Sequence, residues 1–349
     1  MTSLEAEYAC FSLDLKKPLS TARGEIESRD GFLIRLTDGD YTGYGEATPL
    51  PPWTETHDEA EKAVYRSLES LSSTDTDDLR ESLPSHETPG ARYGVSLALA
   101  DLRAKRRGVP LYEYLGDSND DIRRTVRLNA TVGDADVDET LRSVGGYVDD
   151  GYATVKIKVG SRDLDEDIER VRAIDDEYDV KIRADANGGW SYDEASEFAD
   201  ILSDIDSFEY LEQPLDADDL EGHSRIRRST DFDIGVDESL IDHSVSEIVE
   251  EEAADYAVLK PMSFGGIDKT HEVALKARRN GVVPVVSNLV ETVVGRSAGA
   301  HLAVSLRVET ACGLGTGDML AEDLAKDIVD EGSIRLSDQP GNSEVDCVW

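Results

Sequence analysis

Apolar residues follow two different rhythms along this chain. Between about residues 4 and 48 they keep the period of two that a strand imposes. The stretch 31–36 runs into an Asp38-Gly39-Asp40 turn and continues through 41–47. This pattern predicts an antiparallel hairpin sheet. Pro49, Pro51 and Pro52 then stiffen a loop ending at Trp53, because each proline fixes φ and removes a donor. Helical periodicity takes over at 56–72 and 91–107, the second with Val95, Leu97, Leu99, Ala100 and Leu102 on its apolar side. Strands followed by helices, without alternation, predict a small α+β capping domain over 1–125.

Beyond residue 126 the rhythm changes. Eight strand-like segments recur at regular spacing, at 127–131, 154–159, 180–185, 208–212, 233–237, 256–260, 282–287 and 309–312. Amphipathic helical stretches such as 165–177, 191–205 and 267–280 fill the gaps. Repeated strand–helix units give parallel strands with crossover helices, and eight of them close a (β/α)8 barrel, here 126–318. An open doubly wound sheet is the competing architecture, but no Gly-x-Gly-x-x-Gly follows the first strand. In the tail, 319–349, Ile334-Arg335-Leu336 reads as a short strand rejoining the first sheet, so the tail is assigned to the capping domain.

The most informative strand is the second, Thr154-Val155-Lys156-Ile157-Lys158-Val159. Alternation puts Lys156 and Lys158 on one face, roughly 6–7 Å apart. Alone, a Lys-x-Lys strand is a solvated edge. Its neighbours change that reading. The third strand ends at Asp185-Ala186-Asn187, the fourth at Glu212-Gln213-Pro214, the fifth at Asp237-Glu238-Ser239 and the sixth at Lys260-Pro261. Any one acid in a chain this acidic is solvated surface. Five consecutive buried strands all ending in charge at one depth are not, because such strands should end in apolar residues. The C-terminal rim of a barrel is also where active sites lie.

Composition narrows the chemistry. The chain has 349 residues, 39% of them hydrophobic, and a formal charge of -39 spread along its length. Such a surface repels nucleic acid and anionic membrane, and it suits solution in concentrated salt, as in a halophile. Three scattered cysteines, Cys10, Cys312 and Cys347, give neither a disulfide framework nor a zinc spacing, which agrees with a reducing cytoplasmic setting. No signal peptide and no membrane-length apolar run are expected. The sequence leaves room for a homo-oligomer. Gly313-Leu314-Gly315-Thr316-Gly317-Asp318 fits an anion cradle or a plain rim loop, and His301 fits a structural role.

Asp185, Glu212 and Asp237 come from adjacent strands, and three close carboxylates raise each other's pKa unless a cation joins them. An all-oxygen set points to a hard ion, Mg2+ first and Mn2+ as the alternative. Lys158 and Lys260, from strands two and six, would flank that ion. A metal on a substrate carboxylate stabilises the enediolate formed when the α-proton leaves. Lys158 is the expected base, with Lys156 the cation that lowers its pKa. The expected partner is a small-molecule carboxylate.

Taken in order, Lys-x-Lys, Asp-Ala-Asn, Glu-Gln-Pro, Asp-Glu-Ser and the sixth-strand lysine resemble the enolase superfamily, muconate-lactonizing-enzyme subgroup. Finer features resemble its o-succinylbenzoate synthase family. They are Gly45-Glu46-Ala47-Thr48-Pro49-Leu50-Pro51 with Glu55-Thr56, Leu259-Lys260-Pro261 with Gly265-Gly266, and the run from Cys312 to Leu320 with Asp323-Leu324. Pro52-Trp53 departs from that family, which more often has Gly and an aromatic. The Asp-x-Asp by which dipeptide epimerases hold an amine is missing from 309–315.

The resemblance implies a Mg-dependent lyase of menaquinone biosynthesis that dehydrates a succinyl-cyclohexadiene carboxylate to 2-succinylbenzoate. It assigns Mg2+ to Asp185, Glu212 and Asp237, the base to Lys158 and a charge on the opposite face to Lys260. It also implies substrate contacts at Pro51, Thr54, Ser287, Asn288 and Gly315. An N-acylamino acid racemase, a dipeptide epimerase or a muconate cycloisomerase of the same subgroup is the alternative. A non-catalytic metal-binding homologue is the reading from another class.

Overall fold

A computed structural model describes residues 4–21, 24–70, 87–116, 122–345 and 349. Three antiparallel strands open the chain: β1 (Glu5–Thr21), β2 (Gly24–Thr37) and β3 (Thr42–Ala47), paired in that order. Phe32, Ile34 and Leu36 of β2 share one face and are fully buried against α1 (His57–Ser70) and α2 (Pro89–Arg107). The end expected for α1 at Leu71 and Ser72 lies outside the described residues, as does Cys347. Helix α2 approaches β3 so closely that a Cβ on Gly45 would stand 2.0 Å from the Gly94 carbonyl oxygen. Glycine is the residue that permits this contact. A short α3 (Leu111–Leu115) leads out of this domain.

Then come β4 (Thr125–Arg127), β5 (Ala130–Val132), α4 (Val137–Asp149), β6 (Thr154–Lys158), α5 (Leu164–Glu177), β7 (Lys181–Asp185), α6 (Tyr192–Ile201) and β8 (Phe208–Glu212). They continue with α7 (Leu220–Ser229), β9 (Ile234–Val236), α8 (Ser239–Asp242), α9 (Val245–Glu250), β10 (Tyr256–Leu259), α10 (Ile267–Arg279), β11 (Val283–Val286) and α11 (Val293–Ser305). Strands β5 to β11 form one parallel sheet of 7 strands in sequential order. Outward-facing Val155, Ile157, Ile182, Ala184 and Leu211 pack into one core with Ile168, Val171 and Ile174 of α5 and Phe198 of α6.

The expected eighth strand at 309–312 is not a strand. Cys312 makes an isolated parallel bridge to Leu128, and Gly313 makes one to Ser287, so this segment touches both edges of the curled sheet. Side chains do the rest of the closure. The buried Arg183 guanidinium donates to the Ala311 carbonyl at 2.9 Å, the Thr310 hydroxyl at 2.7 Å and Asn129 Oδ1 at 3.0 Å. Its Nε donates to Glu209 at 2.6 Å.

The first expected barrel strand is also divided. Thr125–Arg127 leaves the barrel and pairs with β13 (Ser333–Arg335), which pairs with β12 (Val329–Asp330). The strand around Ile334 therefore joins β4 and not the first sheet. The tail still reaches β1 through a bridge between Leu15 and Leu320.

The capping sheet and the barrel meet at the N-terminus of α11, a helix buried along nearly its whole length. Glu46 of β3 accepts from the backbone N–H groups of Thr292 at 2.9 Å and Gly295 at 2.8 Å, and from the Thr292 hydroxyl at 2.6 Å. Burial raises the Glu46 pKa, and the otherwise unpaired N–H groups of the helix's first turn, with the Thr292 and Thr48 hydroxyls, pull against it.

Candidate active site

Register places the charged residues. Lys158 of β6 pairs with Asp185 of β7, which pairs with Glu212 of β8, so the three stand at one height. Glu212 pairs with Gly235, so Asp237 lies two residues further along, just beyond β9. Lys260 directly follows β10. Below Lys158 and Asp185 lies a second paired couple, Lys156 with Arg183.

The three acids are buried, and lysines join them. Lys156 Nζ donates to Asp185 Oδ2 at 2.9 Å and Glu212 Oε1 at 2.8 Å. Lys158 Nζ donates to the same Asp185 oxygen at 2.7 Å and to Asn187 Oδ1 at 2.7 Å. On the other side, Lys260 Nζ donates to Asp237 Oδ2 at 2.6 Å. The Asn187 amide nitrogen donates to Glu238 at 2.8 Å, which fixes the orientation of the group that holds Lys158.

Burial raises the Asp185 pKa, but Lys156 and Lys158 together more than offset it and hold the carboxyl well below the usual range. Burial also disfavours the charged form of Lys156, yet Asp185 and Glu212 outweigh it and push this ammonium well above its ordinary value. Burial pushes Asp237 up to about 7 against the pull of Lys260, with Glu238 and Glu212 adding to the rise.

Among the described residues, no three acid, histidine or cysteine side chains stand close enough together to grip an ion as they are placed. The ammonium groups of Lys156, Lys158 and Lys260 occupy carboxylate oxygens of all three acids. The donor set nevertheless fits a hard divalent cation. It is all oxygen, it is buried, and Asp237 Oδ1 is a buried acceptor with no hydrogen-bond partner.

The capping domain reaches this rim through Trp53. Lys260 Nζ lies 3.4 Å from the centre of the indole ring. Other residues expected to touch substrate are placed less directly. Pro51 is exposed. Thr54 is buried and spends its hydroxyl within its own loop, accepting from Leu50 N–H at 2.7 Å. Ser287 and Asn288 both donate to the Gly313 carbonyl, and Asn288 Oδ1 accepts from Val290 N–H at 2.7 Å and the Thr316 hydroxyl at 2.9 Å. Gly315 lies beside Tyr152 and the Asn129 carbonyl.

Sequence reasoning assigned no role to Asn187, Gln213, Arg183 or Glu238. Asn187 and Gln213 carried one signal, their places inside the Asp-Ala-Asn and Glu-Gln-Pro runs. Arg183 sat in a strand as an unexplained buried charge.

The result is a curled parallel sheet with acids and amines gathered at its C-terminal rim. Residues 139–344 match the family model described as "Enolase C-terminal domain-like", and residues 5–102 match "MenC, N-terminal domain". The chain belongs to the enolase superfamily. It is 31% identical to an L-Ala-D/L-Glu epimerase of Bacillus subtilis, over 88% of this chain and 86% of that one. It is 26% identical to an N-succinyl-L-Arg/Lys racemase of Bacillus cereus, over 94% of this chain and 91% of that one.

Among solved structures, the substrate-liganded L-Ala-D/L-Glu epimerase from Bacillus subtilis superposes with a TM-score of 0.88 at 29% identity, covering 98% of both chains. A dipeptide epimerase from Enterococcus faecalis complexed with Mg and L-Leu-L-Tyr gives 0.88 at 25% identity, covering 97% of this chain and 99% of that one. These relatives are epimerases and racemases, not lyases. No described helix is long and apolar enough to cross a membrane.

Proposed function

We propose that the chain moves a proton at the carbon next to a carboxylate, racemising an N-acylated amino acid such as an N-succinyl derivative. The observation that carries this reading is the pair Lys158 and Lys260, held at the rim by β6 and β10 on either side of the acids. A racemase needs one amine on each face of the α-carbon. Lys158 in its neutral form takes the α-proton from one face, and Lys260 as an ammonium returns one to the other. Asn187 aims Lys158 while it does so.

Asp185, Glu212 and Asp237 are the residues that would hold Mg2+. When bound, the ion supplies positive charge to the substrate carboxylate. The make-up of 309–315 supports an N-acyl group over a free amine, since Glu309 is the only acid there and no Asp-x-Asp is present. The 26% identical N-succinyl-L-Arg/Lys racemase supports the same substrate class.

A second reading rests on one observation, the match of 5–102 to the MenC N-terminal domain. In that case Lys158 removes the α-proton and returns it to the departing hydroxide, giving 2-succinylbenzoate, while Lys260 stays a charge on the far face. Both reactions share the first proton abstraction and a succinyl-bearing substrate.

Two assays with Mg2+ at high salt separate them. Polarimetry follows single enantiomers of N-succinyl amino acids, and absorbance follows aromatisation of the succinyl-cyclohexadiene carboxylate. Racemisation without aromatisation supports the first reading. Aromatisation without racemisation overturns it in favour of the second.

A further inference from the structure

Gln213 sits between the strand ends that carry the three acids, with a left-handed φ of 39° that is uncommon outside glycine. Its main chain spans three strands. Its N–H donates to the Gly235 carbonyl of β9 at 2.8 Å, and its carbonyl accepts from Gly188, beyond β7, at 2.7 Å. Its side chain is fully buried. Oε1 accepts from Asp237 N–H at 3.0 Å and Ser239 N–H at 3.1 Å. Nε2 lies 2.9 Å from Ser239 Oγ, 3.1 Å from the Leu215 carbonyl and 3.2 Å from His223 Nε2.

These partners admit one orientation of the amide. The backbone N–H groups only donate, so the oxygen faces them. The Leu215 carbonyl only accepts, so the nitrogen faces it. The buried His223 imidazole fixes the same choice independently. Its Nδ1 lies 2.7 Å from the Asp219 carbonyl, which requires a proton on Nδ1 and leaves Nε2 free to accept from Gln213.

We infer that Gln213, oriented by His223, is the positioning residue that sets the backbone of Asp237 relative to Asp185 and Glu212, and so sets the affinity of the trio for a divalent cation. This rests on the proposed metal-holding role of the three acids. The physical basis is direct. Glu212 precedes Gln213 in the chain, Asp237 hangs from its Oε1, and the loop after Asp185 is tied to its carbonyl. A side chain that fixes ligands indirectly in this way tunes affinity without touching the ion.

The test measures Mn2+ binding to the full chain at high salt by electron paramagnetic resonance, beside thermal melts. Gln213→Met keeps the length and removes every side-chain hydrogen bond. The expected result is at least tenfold weaker Mn2+ binding with a cooperative melt. Ser239→Ala removes one partner of Nε2 and the hydroxyl's own bond to the Ala217 carbonyl but leaves both bonds to Oε1, so a loss of twofold to fivefold is expected, with a modest fall in melting temperature. This milder variant decides the matter should Gln213→Met not fold.

Val171→Ala, a core change in α5 away from the network, should lower the melting temperature and leave Mn2+ binding as in the parent. Parent-like affinity in both Gln213→Met and Ser239→Ala overturns the inference, as does equal weakening in Val171→Ala. Failure of the parent chain itself to bind Mn2+ overturns the metal-holding reading, and the inference with it.

Discussion

Lys260 is held between two domains: its Nζ donates to Asp237 Oδ2 at 2.6 Å and lies 3.4 Å from the ring centre of Trp53. One contact comes from the barrel rim and the other from the capping loop. An ammonium over an indole face gains about 0.5–2 kcal/mol, the upper end when water is excluded. Trp53→Leu is therefore expected to lower kcat/KM by about 2- to 30-fold, the same energy expressed as a ratio. The melting temperature should hardly change, because the indole is only partly buried. Steady-state kinetics with a melt of each protein checks this. Unchanged kinetics would show that the capping loop does not act through Lys260.

Arg183 carries a different prediction, about closure of the barrel. Its guanidinium is fully buried and joins β7 to Glu209, Asn129, Thr310 and the Ala311 carbonyl. Arg183→Met strands several of these groups without partners. Removing one member of such a buried ionic set costs about 3–5 kcal/mol. Denaturant unfolding at fixed salt measures it, and a loss under about 1 kcal/mol would mean that the backbone bridges at Cys312 and Gly313 suffice.

The same residue shows what the sequence could reveal. That Lys156, Lys158, Asp185, Glu212, Asp237 and Lys260 gather at one rim was legible because a strand's period of two and a barrel's rim leave few places for buried charge. The eighth strand was not, because its closure depends on a side chain remote in the chain. The division of 127–131 between two sheets was hidden for a similar reason: its partner β13 is remote, and both halves are plain strand by composition. Trp53 and Gln213 were visible as letters, but their contacts needed distances.

Glu291 makes stability depend on pH. Burial, with Glu46 nearby, pushes its carboxyl up to about 8. An unfolded glutamate titrates near ~4.3, so the folded chain holds this proton more tightly. The resulting stability is complete below about pH 4 and is lost as the pH rises through about 8. The amount is on the order of 3–5 kcal/mol. Glu291→Gln cannot lose a proton, so its stability relative to the parent should grow between about pH 5 and 8.5 in denaturant melts. Parallel pH profiles for the two proteins would contradict this.

The acid excess predicts a response to salt. With a formal charge of -39, the folded chain repels itself at low ionic strength. Screening shortens from about 10 Å at 0.1 M to about 3 Å at 1 M. The melting temperature should therefore climb as KCl is raised over this range. A flat or falling profile would remove the physical reason for so acidic a surface.

The account depends most on removal of an α-proton by Lys158. Proton NMR in D2O, with Mg2+, high salt and each enantiomer of an N-succinyl amino acid in turn, follows the α-proton signal directly. The parent chain should wash that proton out for deuterium from either enantiomer, and Lys158→Ala, still folded, should leave it intact in the enantiomer whose α-proton faces Lys158. A parent chain that leaves the α-proton in place, or a Lys158→Ala variant that exchanges it from both enantiomers at the parent rate, would contradict the account.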